Sequence, residues 1–249
     1  MGAAARAGRA QRRRRDARGD RGRDRGGADR GAPAGRGDGG GVGSGAPGRR
    51  RGAVIAGGLA AVILAAGAGR RLGGVAKALL PHRGATYLAA ICATAREVGL
   101  VDAVVVVGAP FGNEVAAHAR QLGLRVRVNP APERGMASSV ALGFAAVAGG
   151  PAAAAWLWPV DHPAVAADTL RRLVDALGAG IEVARPCHRG RGGHPPLIAR
   201  AVWPALAACG GEADGARGVL RRARSVDVEI EDPGVVHDVD LPADREAIG

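Results

Sequence analysis

The sequence predicts a three-layer α/β fold around a mostly parallel, doubly wound sheet, and three observations predict it. Strand-like and helix-like segments alternate from residue 59 to residue 184. Two apolar runs, VVVV at 104–107 and AAAAWLW at 152–158, carry no polar residue on either side, as strands covered on both faces require. Polar and glycine-rich clusters at 67–77, Gly108, 129–139 and Asp161 fall where strands give way to loops, the carboxyl ends at which open α/β sheets bind ligands.

The elements follow in order. Residues 59–65 form a buried first strand that runs into a glycine loop. A helix spans 86–98 and a buried strand 103–107. A second helix spans 112–122 and a short strand 125–128. A third helix covers 137–148, and the strand 153–159 runs into Val160-Asp161. A fourth helix spans 164–177 and a strand 181–184, completing the alternation expected of parallel strands joined by crossover helices. Beyond residue 185 the rhythm breaks. PCHRGRGGHPPLI reads as a loop and strand, 201–208 and 213–222 as short helices, and 226–230 and 235–238 as closing strands.

Residues 1–52 are a different material. They are Gly, Arg and Asp with almost no large apolar residue, so they cannot bury enough surface to offset backbone entropy and are expected to be disordered. The remainder, 53–249, holds the folded domain. The formal charge of +12 belongs to the extension, which carries 15 Arg against 5 Asp. The domain is nearly neutral, with 20 basic and 18 acidic side chains. An RNA-contacting arm is the alternative reading of the extension, but no aromatic residues are interleaved to stack on bases.

The apolar stretch at 53–69 follows three arginines and ends in small residues, as a secretory signal does. Its basic flank is about fifty residues long and its core is diluted by Gly and Ala, so a buried strand is the better reading. It is also short of the roughly 18–20 strongly apolar residues that a spanning helix needs. Cys92, Cys187 and Cys209 are widely spaced, odd in number and form no CxxC pair, which fits a reducing, cytoplasmic setting with neither a zinc nor a disulfide framework.

Chemistry concentrates in a few segments. LAAGAGRRLGGVAK, residues 64–77, ends a strand in Gly67, Gly69, Gly73 and Gly74, interrupted by Arg70 and Arg71 and closed by Lys77. Glycines let backbone N–H groups approach phosphate oxygens, and the cations neutralise a polyphosphate. No GK[ST] occurs and no helix is expected directly after Lys77, which excludes a Walker A loop; the spacing GxGxxxG also departs from the dinucleotide fingerprint. A merely structural turn is the competing explanation. Among 35 basic residues Lys77 is the only lysine, in a chain whose other cations are all arginine. A position that keeps lysine points to a need for a compact ammonium.

Asp161, at a strand's carboxyl end in WPVDHP, suits a hard cation held against phosphate oxygens, or else an N-cap for the following helix. His162 is expected to pack or hydrogen-bond. In ERGMASSVALGF, Gly135, Ser138 and Ser139 precede an apolar run and can cap a helix or donate to a nucleotide at its N-terminus. His194 lies in a glycine-rich loop before two prolines. Asp238 and Asp240 end a predicted strand, and Asp244 reads as a cap or surface charge.

In order and together, these segments resemble the molybdenum cofactor cytidylyltransferase and guanylyltransferase group of nucleotidyltransferases. The group opens with LAAGxSxRMGxxKxLLP, matched by Leu64, Ala65, Ala66, Gly67, Arg71, Gly73, Lys77, Leu80 and Pro81. Its Gly-x-x-x-Ser, Asp-x-Pro, Gly-His-Pro and Asp-x-Asp-x-Pro-x-Asp segments correspond to Gly135 with Ser139, to 161–163, to 193–195 and to 238–244. The likeness covers about residues 59–249. The loop between Gly73 and Lys77 is one residue longer than in many members. Leu72 replaces a common methionine, and His162 replaces a common glutamine, which bears on the acceptor.

The resemblance implies a nucleotide-diphospho-sugar transferase-like fold and CMP transfer from CTP, favoured over GTP by LAAG. It implies Mg²⁺ held by Asp161 with Asp240 or Asp238, and catalytic roles for Lys77, Arg71 and Asp161. Nucleotide contacts would come from Leu64, Ala65, Ala66, Gly67, Gly69, Arg70, Lys77, Gly135, Ser138 and Ser139, with His194 facing the acceptor. The implied partners are an NTP, a phosphorylated acceptor such as molybdopterin, and a molybdoenzyme or its chaperone, with no membrane. A sugar- or polyol-phosphate nucleotidyltransferase shares the donor chemistry and is the alternative.

Overall fold

The computed structural model describes residues 57–69, 72–178 and 180–238. The 1–52 extension, Arg70, Arg71, Asp240 and Asp244 lie outside the described residues. The chain runs β1 (Leu59–Ala65), β2 (Pro81–His82), β3 (Ala85–Thr86), α1 (Tyr87–Arg96), β4 (Leu100–Val107), α2 (Gly112–Gln121), β5 (Arg125–Val128) and α3 (Met136–Val147). It continues through β6 (Ala154–Pro159), α4 (Ala167–Ala176), β7 (Val183–His188), β8 (Arg191–Gly192), β9 (Leu197–Ala199), α5 (Trp203–Ala208), α6 (Gly215–Arg222) and β10 (Ser225–Glu229).

The main sheet has the order β10-β7-β9-β6-β1-β4-β5, with β8 paired to β7. β1 lies parallel to both β4 and β6, and only β9 breaks the parallel run between β5 and β10. The expected fold class is therefore the observed one, and β1 is its topological switch point. The chain winds outward from β1 to β4 and β5, then returns to lay β6 on β1's other side, which opens a crevice above β1.

Alternation along the strands explains the unbroken apolar runs. On β1, Ala61 and Ile63 face a core filled by α1, α2 and α4, with Leu88, Ile91 and Leu170 in it. Ala60, Val62 and Leu64 face the opposite core, filled by α3, α5 and α6 through Phe144, Trp203 and Val219. Both faces are dry, so neither register of β1 tolerates a polar side chain. Helix α3 comes closest to the sheet: a Cβ on Gly143 would stand 2.2 Å from Cγ1 of Val62.

Three differences from the sequence reading have physical reasons. Strand β7 continues to His188 although Pro186 lacks an N–H, because β9 pairs with it only at Val183 and Ala184 while β10 follows it on the other edge. The strand expected at 235–238 does not form. Pro233–Val235 is a 3₁₀ turn, capped by Asp232, whose carboxylate accepts from the Gly234 N–H at 2.9 Å. Asp238 therefore follows a turn rather than ending a strand. Finally, a single 3₁₀ turn, Lys77–Leu79, begins at the lysine where no helix is expected; three residues are too short to supply a Walker-type phosphate helix.

Among the described residues, no helix is long and apolar enough to cross a membrane. All three cysteines are buried and unpaired.

Candidate active site

A cavity of about 370 Å³ opens above the carboxyl ends of β1 and β6. Four stretches of chain build it, and each arrives there for a local reason. The end of β1 supplies Leu64 and then Ala65, Ala66 and Gly67, three small residues that cover little of the backbone. Gly69 then turns the loop back. Its φ is +56°, its carbonyl accepts from Leu72 N–H at 2.9 Å and Gly74 N–H at 3.0 Å, and a Cβ there would stand 2.1 Å from the Val75 carbonyl oxygen. Only glycine fits that closure, which returns the chain so that Lys77 reaches the cavity.

Helix α3 points its amino end at the same space through Gly135, Met136 and Ser139. Gly135 sits at φ +92° and ψ 177°, a region essentially reserved for glycine. No side chain caps this helix, so its first N–H groups and the positive end of its dipole face the cavity. Ser138 stands one step back, donating its hydroxyl to the Gly135 carbonyl at 2.8 Å.

The fourth stretch is the end of β6, with Pro159, Val160 and Asp161. Lys77 donates to Oδ2 of Asp161 at 3.2 Å across 84 positions of sequence, with side chains 13% and 25% exposed. Partial burial makes this attraction stronger than between charges in open water. Asp161 does not cap the next helix. That task falls to Asp232, whose Oδ2 accepts from Ala166 N–H at 2.9 Å and Thr169 Oγ1 at 2.7 Å.

Beside Asp161 lies a pair of imidazoles. His162 is buried, with Nε2 at 4.0 Å from Oδ1 of Asp161 and Nδ1 at 3.3 Å from the Gly234 carbonyl. Its ring lies 5.1 Å from that of His194. The His194 N–H donates to the Val235 carbonyl at 2.7 Å, and Gly193 has no room for a Cβ against that same carbonyl. Burial pushes the His194 pKa down to about 4, reinforced by His162 and opposed by Asp161 and Asp238. His194 is thus a neutral imidazole near neutral pH, and its Nδ1 is buried without a hydrogen-bond partner.

Of the predicted site residues, Leu64, Ala65, Ala66, Gly67, Gly69, Lys77, Gly135, Ser139 and Asp161 share one cavity. His194 and Asp238 stand off it, behind Asp161 and His162. Arg70, Arg71 and Asp240 lie outside the described residues. Sequence reasoning gave no role to Asn129, although it is the best-connected polar side chain at the site. Buried at 3% exposure, it donates to Ser138 Oγ at 2.8 Å and Ser139 Oγ at 2.9 Å. The available signal was its position, the first residue after a strand and just before a proline. Met136, 62% exposed at the cavity mouth, was also missed.

A glycine turn, an ammonium–carboxylate pair and a helix amino end, all at the switch point of a parallel sheet, make a crevice of the kind in which open α/β proteins bind anionic ligands. Within that class the chain belongs to the MobA-like NTP transferase domain family, whose model matches residues 61–228. It is 35% identical over 170 residues to the nicotine blue oxidoreductase of Paenarthrobacter nicotinovorans, covering 65% of this chain and 80% of that protein. It is similar to the crystal structure of Rv0371c from Mycobacterium tuberculosis H37Rv, at 32% identity and TM-score 0.59, covering 77% of this chain and 96% of that one. The Rv0371c complex with manganese is similar at 29% identity and TM-score 0.56, covering 77% and 97%.

Proposed function

We propose that this protein is a Mg²⁺-dependent nucleotidyltransferase that transfers a nucleoside monophosphate, CMP in preference to GMP, from an NTP to a phosphorylated small molecule of the molybdopterin type, releasing pyrophosphate. The observation that carries the proposal is the meeting of Lys77 and Asp161 at 3.2 Å on the wall of a cavity framed by the β1 glycine turn and the amino end of α3.

In-line attack of an anion on a triphosphate is slow chiefly because of charge, so positioning and electrostatic stabilisation supply most of the catalysis. The residues divide that work. Backbone N–H groups of the β1 turn approach the phosphates, and the α3 amino end adds its positive potential. Lys77 stabilises negative charge that builds on the triphosphate, with Arg71 and Arg70 assisting from the same loop. Ala65, Ala66 and Ser139 meet the base. His194, held neutral beside His162 and Asp161, would act on the acceptor side.

The donor set also fits a divalent metal. Among the described residues no three His, Cys, Asp or Glu side chains gather into a metal cage. Mg²⁺ commonly binds through one or two carboxylates plus substrate phosphates, and Asp161 with Asp238 or Asp240 would hold it in that manner. Bound there, the metal supplies Lewis-acid neutralisation of the phosphate oxygens. The Rv0371c structure that is a complex with manganese supports a divalent ion in this family.

Incubating the purified protein with each NTP, Mg²⁺, and either molybdopterin-type or sugar-phosphate acceptors, and reading pyrophosphate release, tests the proposal. CTP with a molybdopterin-type acceptor is expected to give the fastest release, and activity confined to sugar or polyol phosphates selects the alternative acceptor class. The relative named an oxidoreductase favours a second reading, a redox enzyme on the same fold. That reading expects no pyrophosphate from any NTP and a change in the oxidation state of an organic substrate instead.

A further inference from the structure

Ser139 is held by a partner that determines which way its hydroxyl can bond. The Asn129 side chain spends three of its valences inside the protein. Its Oδ1 accepts from the Ala131 N–H at 3.0 Å, and its two Nδ2 protons go to Ser138 Oγ at 2.8 Å and Ser139 Oγ at 2.9 Å. The amide cannot be turned over, because a backbone N–H only donates and an NH₂ group placed against it would find no acceptor. The backbone of Asn129 is fixed as well, its N–H donating to the Val107 carbonyl at 2.7 Å in continuation of the β4–β5 pairing. Both serine oxygens therefore accept from Asn129. Ser138 directs its own proton to the Gly135 carbonyl. Ser139, buried at 5% exposure yet lining the cavity, finds no acceptor for its proton among the described residues.

We infer that Asn129 is a positioning residue that locks Ser139 as a hydrogen-bond donor into the cavity, so that the site selects a nucleotide presenting a carbonyl or ring-nitrogen acceptor at that point and disfavours one presenting an amino group. This rests on the nucleotidyltransferase reading above. The chemistry is asymmetric: with its oxygen already accepting from Asn129, the Ser139 hydroxyl keeps one lone pair and a proton, and that proton needs an acceptor which only a molecule in the cavity can bring. An amino group facing Ser139 could use the remaining lone pair but would leave the serine proton unsatisfied in a desolvated place, a cost that discriminates against such a ligand.

Asn129→Asp tests this with little change of shape. One carboxylate oxygen still accepts from Ala131 N–H, but the other now accepts from the serines, so Ser139 turns its proton away from the cavity and presents a lone pair. The expected result is a KM for the preferred NTP raised about tenfold or more, with kcat changed far less, and a reduced preference among the four NTPs. Ser139→Ala should itself raise that KM, and the double variant Asn129→Asp/Ser139→Ala should be no worse than Ser139→Ala alone. An equal penalty from Asn129→Asp with and without the Ser139 hydroxyl would overturn the inference, since it would show that the new charge or a general disturbance of the fold is responsible. Unchanged NTP preference in a folded Asn129→Asp protein would overturn it too. Failure of the wild-type protein to bind or turn over any NTP would instead refute the nucleotidyltransferase reading.

Discussion

The two sides of the cavity are built from different materials. The β1–α3 side is mostly backbone and small residues: Ala65, Ala66, Gly67, Gly69 and Gly135, with Lys77 the one long cation among its described residues. The β6 side presents Asp161, and off the cavity next to it lie the buried side chains of His162 and His194. A surface of backbone amides suits the part of a nucleotide that every NTP shares, since polyphosphate needs donors and close approach rather than shape. A wall of buried imidazoles, whose neighbours set which nitrogen carries the proton, suits a partner recognised by hydrogen-bonding pattern. One side should therefore govern NTP chemistry and the other the choice of acceptor.

The largest effect should come where the sides meet. Lys77→Ala and Asp161→Asn are each expected to cut turnover by at least ~10²-fold, the scale of losing one preorganised electrostatic contact, as read by pyrophosphate release. Near-wild-type rates in either variant would break the comparison at its centre. Lys77→Arg sharpens it. The planar guanidinium keeps the charge but not the compact point geometry, so turnover should stay well below wild type.

His194→Ala separates the two sides. Acceptor KM should rise about tenfold while the Kd for NTP stays nearly constant, the pattern of a lost contact to one substrate only. Equal losses in both would mean that the imidazole pair supports the whole site rather than the acceptor side.

Gly135→Ala probes the backbone side without adding a clash, for nothing lies within 4 Å of the added Cβ. The cost is conformational strain, about 1–3 kcal/mol for a residue forced into that region, visible as a lower urea midpoint together with weaker NTP binding. The smallest effect is expected from removing residues 1–52. NTP-dependent kcat/KM should stay within about twofold, because a segment of Gly, Arg and Asp with almost no large apolar residue has little surface to pack. Salt-sensitive RNA binding lost with that segment would show the extension to have a separate role.

Much of the fold was legible because the patterns are local. A strand buried on both faces must be uniformly apolar, and β1 was read to its observed limits, Leu59–Ala65. β5 was also read at Arg125–Val128 as observed. The misreadings arose where a distant partner decides. Pro186 looks like a stop until β9 is seen to pair only upstream of it, and 235–238 looks like a strand until the Asp232 carboxylate is seen to hold a turn there and to reach across to α4.

The site divides in the same way. By itself the sequence singled out the residues proposed to carry the chemistry, because a lone lysine after a glycine turn, and a carboxylate at a strand's end, are properties of short segments. Only the tertiary structure decided their pairings. Lys77 with Asp161, His162 with His194, and Asn129 with Ser138 and Ser139 depend on strand order and on the direction in which each loop leaves the sheet. The physical reason is one of distance. Propensity and periodicity act over a few residues, whereas the partner of a polar group is set by whatever the packed sheet brings within about 3 Å of it.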